Sequence, residues 1–214
     1  MEFMERESFL NNLDSLLGCA VALHSHASEL WSQTCTGQPN LKKEQVRDLY
    51  GDDLLMGTVL GYGRFLSEID PDSTISGYER EEFEVRSRIK MQNSIQQKLD
   101  RYMGMSHQGR VPVNKCFNDL FGIRVIANCR ISHQEICGHI RETFGMKCID
   151  STKTDPSTGE PTYIATHVYL RGSNRDFPWE LQIWLTENAE MNYTSHERYK
   201  QAYKEWDNRN GDMT

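Results

Sequence analysis

Apolar residues recur every three to four positions near the amino terminus, which is the spacing of an amphipathic helix. These positions are Phe9, Leu13, Leu16, Leu17, Ala20 and Leu23. TCTGQPN ends this helix, and we predict a second helix from about Leu41 to Glu68 and a third from about Glu79 to Tyr102. Between them, DPDSTISGY is rich in turn-forming residues and is predicted to be a loop.

The pattern changes near residue 117 to short runs of branched and aromatic residues, which favour β-strands. Four runs are predicted to be strands: GIRVIANC, MKCIDSTK, YIATHVYL and WELQIWL. SHQEICGHIRETF has helical spacing, DPSTGEP is a predicted loop, and residues 187–206 form a predicted final helix. This order predicts an α+β fold with a small mixed β-sheet flanked by helices.

Composition narrows the functional classes. The 214 residues suffice for one good hydrophobic core, and the net charge of −7 argues against a broad nucleic-acid-binding surface but not against a local phosphate pocket. No run approaches the roughly 20 apolar residues of a membrane span, and MEFMERESFL is too acidic and polar for a signal peptide. We therefore expect a cytoplasmic protein with no membrane contact and with its six cysteines as reduced thiols.

Two groups of polar residues allow both a functional and a structural interpretation. Cys129, His133, Cys137 and His139 lie close together but match no zinc template, and two of them would also share one face of a short helix. In FPWELQIWL, alternation directs Glu180, Gln182 and Trp184 to one face of the strand and Trp179, Leu181 and Ile183 to the other. The polar face is either a functional surface or the solvated side of an antiparallel strand.

Cations and a hydroxyl recur in SRIKMQNSIQQKL. Lys90, Ser94 and Lys98 are spaced by four and would form one polar stripe on a helix, with Arg88 just before it. Near a helix amino terminus such a stripe would suit a polyphosphate, because the exposed amides and the cations all favour anions. A solvated helix face would show the same pattern.

Two later segments carry further candidates. NDLFGIRVI places Asp119 at the mouth of a strand, as a magnesium ligand or a turn residue, and Arg124 within the strand, where it could contact a base or phosphate. In YIATHVYL the alternation puts Tyr163, His167 and Tyr169 on one face. The small residue between the first two leaves room for a flat group against Tyr163, unless this tyrosine packs in a core.

The order of these motifs is more specific than any one of them. R-x-K-x-x-x-S-x-x-x-K is followed by D-x-x-G-I-R, then Y-x-x-x-H, then E-L-Q-I. In this order, over residues 85–205, the sequence resembles the synthetase domain of the RelA/SpoT family, in particular the small alarmone synthetases that lack other domains. The resemblance implies a nucleotidyltransferase-like fold and Mg²⁺-dependent transfer of the β,γ-pyrophosphate of ATP to the ribose 3′-hydroxyl of GDP or GTP, which forms (p)ppGpp and releases AMP.

The resemblance also implies a division of the chain and of its residues. It divides the chain into a helical region (1–84), a catalytic domain (85–206) and a tail (207–214). The residues implied to bind ATP are Arg88, Lys90, Ser94, Lys98 and Arg124. The residues implied to bind the acceptor are Tyr163, His167 and Gln182. Asp119 and Glu180 are implied to be the catalytic carboxylates and magnesium ligands, with Glu180 activating the 3′-hydroxyl.

Departures from the family pattern concern the acceptor. Thr162 replaces a glycine, Trp184 and Leu185 replace an arginine and a threonine, and only Lys153 supplies a cation in the loop before the tyrosine. An adenosine nucleotide acceptor therefore stays open, as does a toxin-type enzyme that pyrophosphorylates the 3′ end of tRNA. A basic patch for tRNA would consist of Arg198, Lys200, Lys204 and Arg209. A non-catalytic nucleotide-binding regulator, an antitoxin partner and self-association through ERYKQAYKEW are further alternatives.

Overall fold

A five-stranded mixed sheet forms the centre of the described structure. The computed structural model describes the backbone of residues 3–35 and 37–211, and the side chains up to residue 198 and at residue 201. The strands are β1 (Phe83–Ile89), β2 (Phe121–Ala127), β3 (Cys148–Thr154), β4 (Pro161–Leu170) and β5 (Trp179–Leu185). Their order is β1-β2-β5-β4-β3, with β2 and β5 parallel and the other pairs antiparallel.

Helices flank the sheet, so the predicted α+β fold with a small mixed sheet is confirmed. They are α1 (Arg6–Thr34), α2 (Asp53–Ile69), α3 (Pro71–Ser76), α4 (Gln92–Gly104), α5 (Val113–Cys116), α6 (His133–Phe144) and α7 (Thr186–Gly211), with a 3₁₀ helix at Val46–Tyr50. No described helix is long and apolar enough to cross a membrane.

One hydrophobic core joins the amino-terminal helices to the sheet. Of the apolar residues predicted to line one side of α1, all but the partly buried Leu23 are buried in it, together with residues of α2 and of β1, β2, β4 and β5. The indole of Trp179 on β5 donates to the hydroxyl of Tyr62 on α2 at 2.9 Å, and His24 of α1 bonds the carbonyl of Phe177 at 3.0 Å. The predicted domain boundary between residues 84 and 85 therefore divides residues that share one core, and the division into domains stays a prediction. Within the predicted tail, residues 207–211 continue α7, and residues 212–214 lie outside the description.

The predicted third helix is wrong in its first half. Residues 83–89 form β1, and the helix α4 begins only at Gln92. Phe83 and Val85 are buried while Arg86 and Arg88 are exposed, so the segment has the two-residue period of a strand. Seven residues of β1 pair with β2, and this tertiary pairing outweighs the helical propensity of the glutamates before it.

Two further boundaries also differ from the prediction. The second helix begins at Asp53 rather than near Leu41, because the Asp52 carboxylate accepts the Leu55 backbone N–H at 2.9 Å and caps it. The segment predicted as a loop after it contains α3, which begins with Pro71, a residue suited to a first helical turn.

The cluster of cysteines and histidines does not form a metal site. His133 Nδ1 lies 2.9 Å from the Thr166 hydroxyl, His139 bonds Asp14 at 2.7 Å, and the Cys137 and Cys148 sulfurs lie 2.8 Å apart. Among the described residues, no group of three or more histidines, cysteines or carboxylates could hold a metal ion. His133 and Cys137 both lie on the buried face of α6, as the helix-face interpretation expected, and all six cysteines are free thiols.

Strand β5 is not the solvated antiparallel strand considered above. It lies between β2 and β4, and all seven of its residues are buried. Its faces divide as predicted, with Trp179, Leu181 and Ile183 in the main core. Trp184 belongs to a second, smaller core, which we call the α7 cluster. Its members are Ile126, Tyr163, Ala165 and Trp184, covered by Ala189 and Tyr193 of α7.

Candidate active site

The strand register gathers the candidate residues on one face of the sheet. Arg124 pairs with Gln182, which pairs with His167, so three side chains stand in one row across β2, β5 and β4. In the adjacent row, Glu180 stands between Gly122 and Tyr169. Because Gly122 has no side chain and no heavy atom lies within 4 Å of where a Cβ would project, space is left in front of Glu180.

This space is a cleft of ≈ 180 Å³ with mixed charge. Its lining consists of Arg86, Ser87, Arg88, Asp119, Gly122, Ile123, Arg124, Glu180 and Gln182. Both predicted catalytic carboxylates and two of the predicted ATP-binding residues thus open on one cavity. A cleft that combines guanidinium groups with carboxylates is chemically suited to a phosphorylated ligand.

Asp119 forms the charged end of the site with two lysines. Lys90 Nζ lies 2.5 Å from Asp119 Oδ2, and Lys98 Nζ lies 2.9 Å from Asp119 Oδ1. Lys90 follows β1 directly, and its backbone N–H donates to the Leu120 carbonyl at 2.8 Å, which brings it beside the residue that precedes β2. The three side chains are only 12–16% exposed.

The four predicted phosphate-binding residues do not share one helical stripe. Arg88 lies on β1, Lys90 in the connection after it, and Ser94 and Lys98 on α4. Lys90 and Lys98 nevertheless meet at Asp119, whereas Arg88 and Ser94 are exposed. The shared location therefore results from the β1–α4 turn rather than from helical spacing.

Charge governs the protonation of this cluster. Burial alone would raise the pKa of Asp119, but the positive charges of Lys98 and Lys90 outweigh it and hold that pKa below its ordinary value. Burial lowers the pKa of Lys90, and the charges of Lys98 and Arg88 act in the same direction. For Lys98 the attraction of Asp119 outweighs burial, so its pKa is raised. With both lysines protonated, the cluster carries a net positive charge.

Glu180 is the second carboxylate of the cleft and is only 9% exposed. Its Oε1 lies 2.9 Å from His167 Nδ1, and its Oε2 accepts from Gln182 Nε2 at 2.8 Å. The Gln182 Oε1 in turn accepts from Arg124 Nη2 at 3.3 Å. Burial raises the pKa of Glu180, but the hydrogen bonds and the charge of His167 outweigh it, so that pKa lies below its ordinary value. The carboxylate is therefore ionised at neutral pH.

Tyr163 is placed differently from the prediction. It is 3% exposed and lies in the α7 cluster, with ring centroids 6.1 Å from Trp184 and 5.7 Å from His196. Trp184 and α7 contact this ring, and the exposed Lys153 ammonium lies 5.0 Å from its centroid. The predicted role of Tyr163 in acceptor binding stays a prediction. The tyrosine hydroxyl lies 3.0 Å from His167 Nε2.

Two residues of the site were not predicted from the sequence. Arg86 lines the cleft beside Arg88, and the two-residue alternation of β1 could have revealed it. His196 of α7 lies 3.5 Å from Arg124 Nη2, and burial together with the charges of Arg124 and Arg88 lowers its pKa to about 4. No local pattern could have revealed His196, because its position depends on how α7 folds back over the sheet.

Comparison with known proteins identifies the family of this α+β protein. The sequence model described as "Region found in RelA / SpoT proteins" matches residues 87–204, more than half of the chain. The chain therefore belongs to the RelA/SpoT family, as its motifs predicted. A search of curated proteins finds no match.

Solved structures with a similar fold include two small alarmone synthetases and a GTP pyrophosphokinase family protein. Small alarmone synthetase 1 from Bacillus subtilis is 18% identical, with 72% of this chain and 81% of that chain covered and a TM-score of 0.40. Small alarmone synthetase 2 from the same organism is 20% identical, with coverage of 72% and 82% and a TM-score of 0.38. A GTP pyrophosphokinase family protein from Streptococcus pneumoniae is 17% identical, with coverage of 73% and 78% and a TM-score of 0.38.

Proposed function

We propose that the protein is a nucleotide pyrophosphokinase that transfers the β,γ-pyrophosphate of ATP to the ribose 3′-hydroxyl of GDP or GTP, forming (p)ppGpp and releasing AMP. The observation that carries this proposal is the meeting of two different carboxylates in one cleft. Asp119 stands there among cations that suit a polyphosphate, and Glu180 stands there ionised and hydrogen-bonded. Membership in the RelA/SpoT family supports the reaction type.

The end of the cleft around Asp119 is proposed to bind the phosphates of ATP. Lys90 and Lys98 each have three N–H donors, of which Asp119 takes one, so both can also bind phosphate oxygens. Arg88 reaches the same cleft from β1, and α4 begins two residues after Lys90, so its first backbone amides lie nearby. Ser94, in the first turn of α4, is the fourth phosphate contact in this proposal.

Arg124 is proposed to pack on the adenine. Its guanidinium carbon lies 3.8 Å from the centroid of the Trp184 ring on one side, and the same side chain lines the cleft. A planar guanidinium held against an aromatic ring keeps its other face for a second flat group. A purine entering the cleft would therefore meet a fixed surface.

Asp119 and Glu180 fit a magnesium ion that arrives with ATP. Mg²⁺ is usually bound through one or two carboxylates together with substrate phosphates, which agrees with two carboxylates in one cleft and no larger ligand cluster among the described residues. When bound, the ion would offset the charge that develops on the transferring phosphates.

Glu180 is proposed to accept the proton of the attacking hydroxyl. Its carboxylate is ionised, and contacts on both oxygens fix its orientation, so a hydroxyl at the open side above Gly122 would meet a ready acceptor. Phosphoryl transfer depends mainly on positioning and charge stabilisation, and these residues supply both.

The guanosine acceptor rests on the family resemblance. For the tRNA alternative, Arg198 is exposed, but the side chains of Lys200, Lys204 and Arg209 lie outside the described residues. An antitoxin partner, self-association and a cytoplasmic location stay predictions.

One experiment separates these outcomes. The purified protein is incubated with Mg²⁺ and ATP labelled at the γ-phosphate, with GDP, GTP, ADP or tRNA added in parallel. Pyrophosphate transfer releases AMP and moves the label to the acceptor, whereas an ordinary kinase would release ADP. We expect labelled (p)ppGpp with GDP or GTP, and transfer slowed by about 10²–10⁴-fold in Glu180→Gln. Failure to form AMP with every acceptor would contradict the proposal.

A further inference from the structure

Two cysteine thiols face each other between α6 and β3. Cys137 lies on the buried face of α6 and Cys148 is the first residue of β3, and their sulfur atoms are 2.8 Å apart. A disulfide bond is about 2.05 Å long, so the two sulfurs need to approach by less than about 1 Å to form one. An approach of this size is comparable to the thermal displacement of ordinary protein atoms. The fold therefore holds this pair close to bonding geometry.

The pair lies on the face of the sheet opposite to the candidate site. Cys148 is the strand partner of Val168, whose side chain is in the main core, and His133 of α6 bonds the Thr166 hydroxyl at 2.9 Å. His167 of the candidate site lies between these two positions on β4, so its side chain points to the other face. A bond between the two cysteines would therefore leave the contacts of the cleft in place.

Both thiols are protected from reaction while the structure is closed. They are buried, and burial together with the neighbouring thiol raises the pKa of Cys148, although the positive charge of Arg141 acts in the opposite direction. Reaction therefore requires a local opening of the structure. Strand β3 offers such an opening, because it is an edge strand of the sheet and most of its residues are exposed. Cys148 is accordingly the first of the two thiols to meet a reagent.

We propose that Cys137 and Cys148 are a modification site at which a low-molecular-weight disulfide forms a reversible disulfide bond that fastens α6 to the edge of the sheet. The Cys148 thiolate attacks one sulfur of the small disulfide, which gives a mixed disulfide and releases one small thiolate. The Cys137 thiolate then attacks the Cys148 sulfur and releases the second small thiolate. The two cysteine protons go to the released thiolates, so one protein disulfide and two small thiols result. An excess of small thiol reverses both steps.

The bond would stabilise the fold by closing a short loop. It joins residues 11 positions apart, and a link of this kind reduces the conformational freedom of the unfolded chain. For a protein of this size the corresponding rise in Tm is about 5–11 °C when the bond fits the native structure without strain. Because β3 is held against the sheet by its pairing with β4 alone, hydrogen exchange of the β3 amides should also slow on oxidation.

Peptide mapping of the unaltered protein tests whether the bond forms. The native protein is treated with glutathione disulfide, its remaining thiols are blocked with N-ethylmaleimide, and it is digested with trypsin without reduction. Cleavage after Arg141 and Lys147 separates the two cysteines, so the bond would join ISHQEICGHIR to CIDSTK. We expect this linked pair of peptides as the main product, and its loss after reduction. Glutathione attached to a single cysteine, a bond to another cysteine or no reaction at all would overturn the proposal.

Thermal unfolding tests whether the bond fits the native fold. Oxidation should raise the Tm of the unaltered protein, and dithiothreitol should restore the original value. Cys148→Ser and Cys137→Ala should each abolish this response, whereas Cys35→Ser, at the end of α1, is the matched control and should retain it. A Tm that falls or stays constant once the linked peptides have formed would overturn the proposal. Neither measurement uses a nucleotide, so the outcome is independent of the proposed reaction.

Discussion

Asp119→Asn tests the charged end of the cleft through both stability and turnover. The carboxylate accepts one hydrogen bond from each lysine, and all three side chains are at most 16% exposed. A hydrogen bond to a charged group contributes about 1.5–3 kcal/mol, and asparagine keeps one neutral acceptor, so we expect a loss of about 2–4 kcal/mol. For a protein of this size that corresponds to a fall in Tm of about 4–16 °C.

Turnover should be lost as well, since a neutral amide cannot replace a carboxylate that binds Mg²⁺ beside a polyphosphate. Thermal unfolding and AMP release at ordinary Mg²⁺ concentrations are the two assays, and Asp150→Asn on the exposed side of β3 is the matched control. If Asp119→Asn has the same Tm as the unaltered protein and turns over at full rate, Asp119 is not part of the site. A large loss of Tm with full turnover would leave it a purely structural residue.

Three further predictions follow from the same cleft. Glu180→Gln should lower kcat by about 10²–10⁴-fold while calorimetry still detects ATP binding, and a near-normal rate would contradict its role as base. Arg88→Ala and Lys98→Ala should both raise the KM for ATP, but only Lys98→Ala should lower Tm, because Arg88 is exposed whereas Lys98 neutralises Asp119. The folded-state pKa of Asp119 is depressed, so its stabilisation is present above its unfolded pKa of about 3.9 and is lost as the pH falls through the folded value. The stability difference between the unaltered protein and Asp119→Asn should therefore shrink in acid unfolding series below about pH 4, and a constant difference would contradict this assignment.

The order of the motifs predicted the family. Most of the sheet was also predictable, because strands β2 to β5 each carry a strong local pattern. The alternation in FPWELQIWL also placed Glu180 and Gln182 on one face correctly, since this property needs no tertiary information. The burial of that face was not predictable in the same way. It depends on β5 taking a central place between β2 and β4.

Strand β1 shows why the remainder was missed. Its glutamate-rich surroundings favour a helix locally, and only pairing with β2 decides the competition. Lys90 and Lys98 were grouped on helical spacing, yet they meet because a turn brings the end of β1 to the start of α4. The two lysines thus lie together as expected, although the helical segment that led to the expectation is wrong.

The packing of α7 helps to explain one departure from the family pattern, the tryptophan at position 184. From sequence, Trp184 counted as a change on the acceptor side, but its ring lies beneath Arg124, a predicted ATP-binding residue, and against Tyr193 of α7. An arginine at this buried position would place two guanidinium groups side by side, whereas the indole face stabilises the single charge of Arg124. The same face of the sheet therefore consists of two parts: an open part above Gly122, where the carboxylates and cations meet, and a closed part under α7. In the closed part, Tyr163 and Trp184 pack against α7, and Trp184 also contacts Arg124 of the open part.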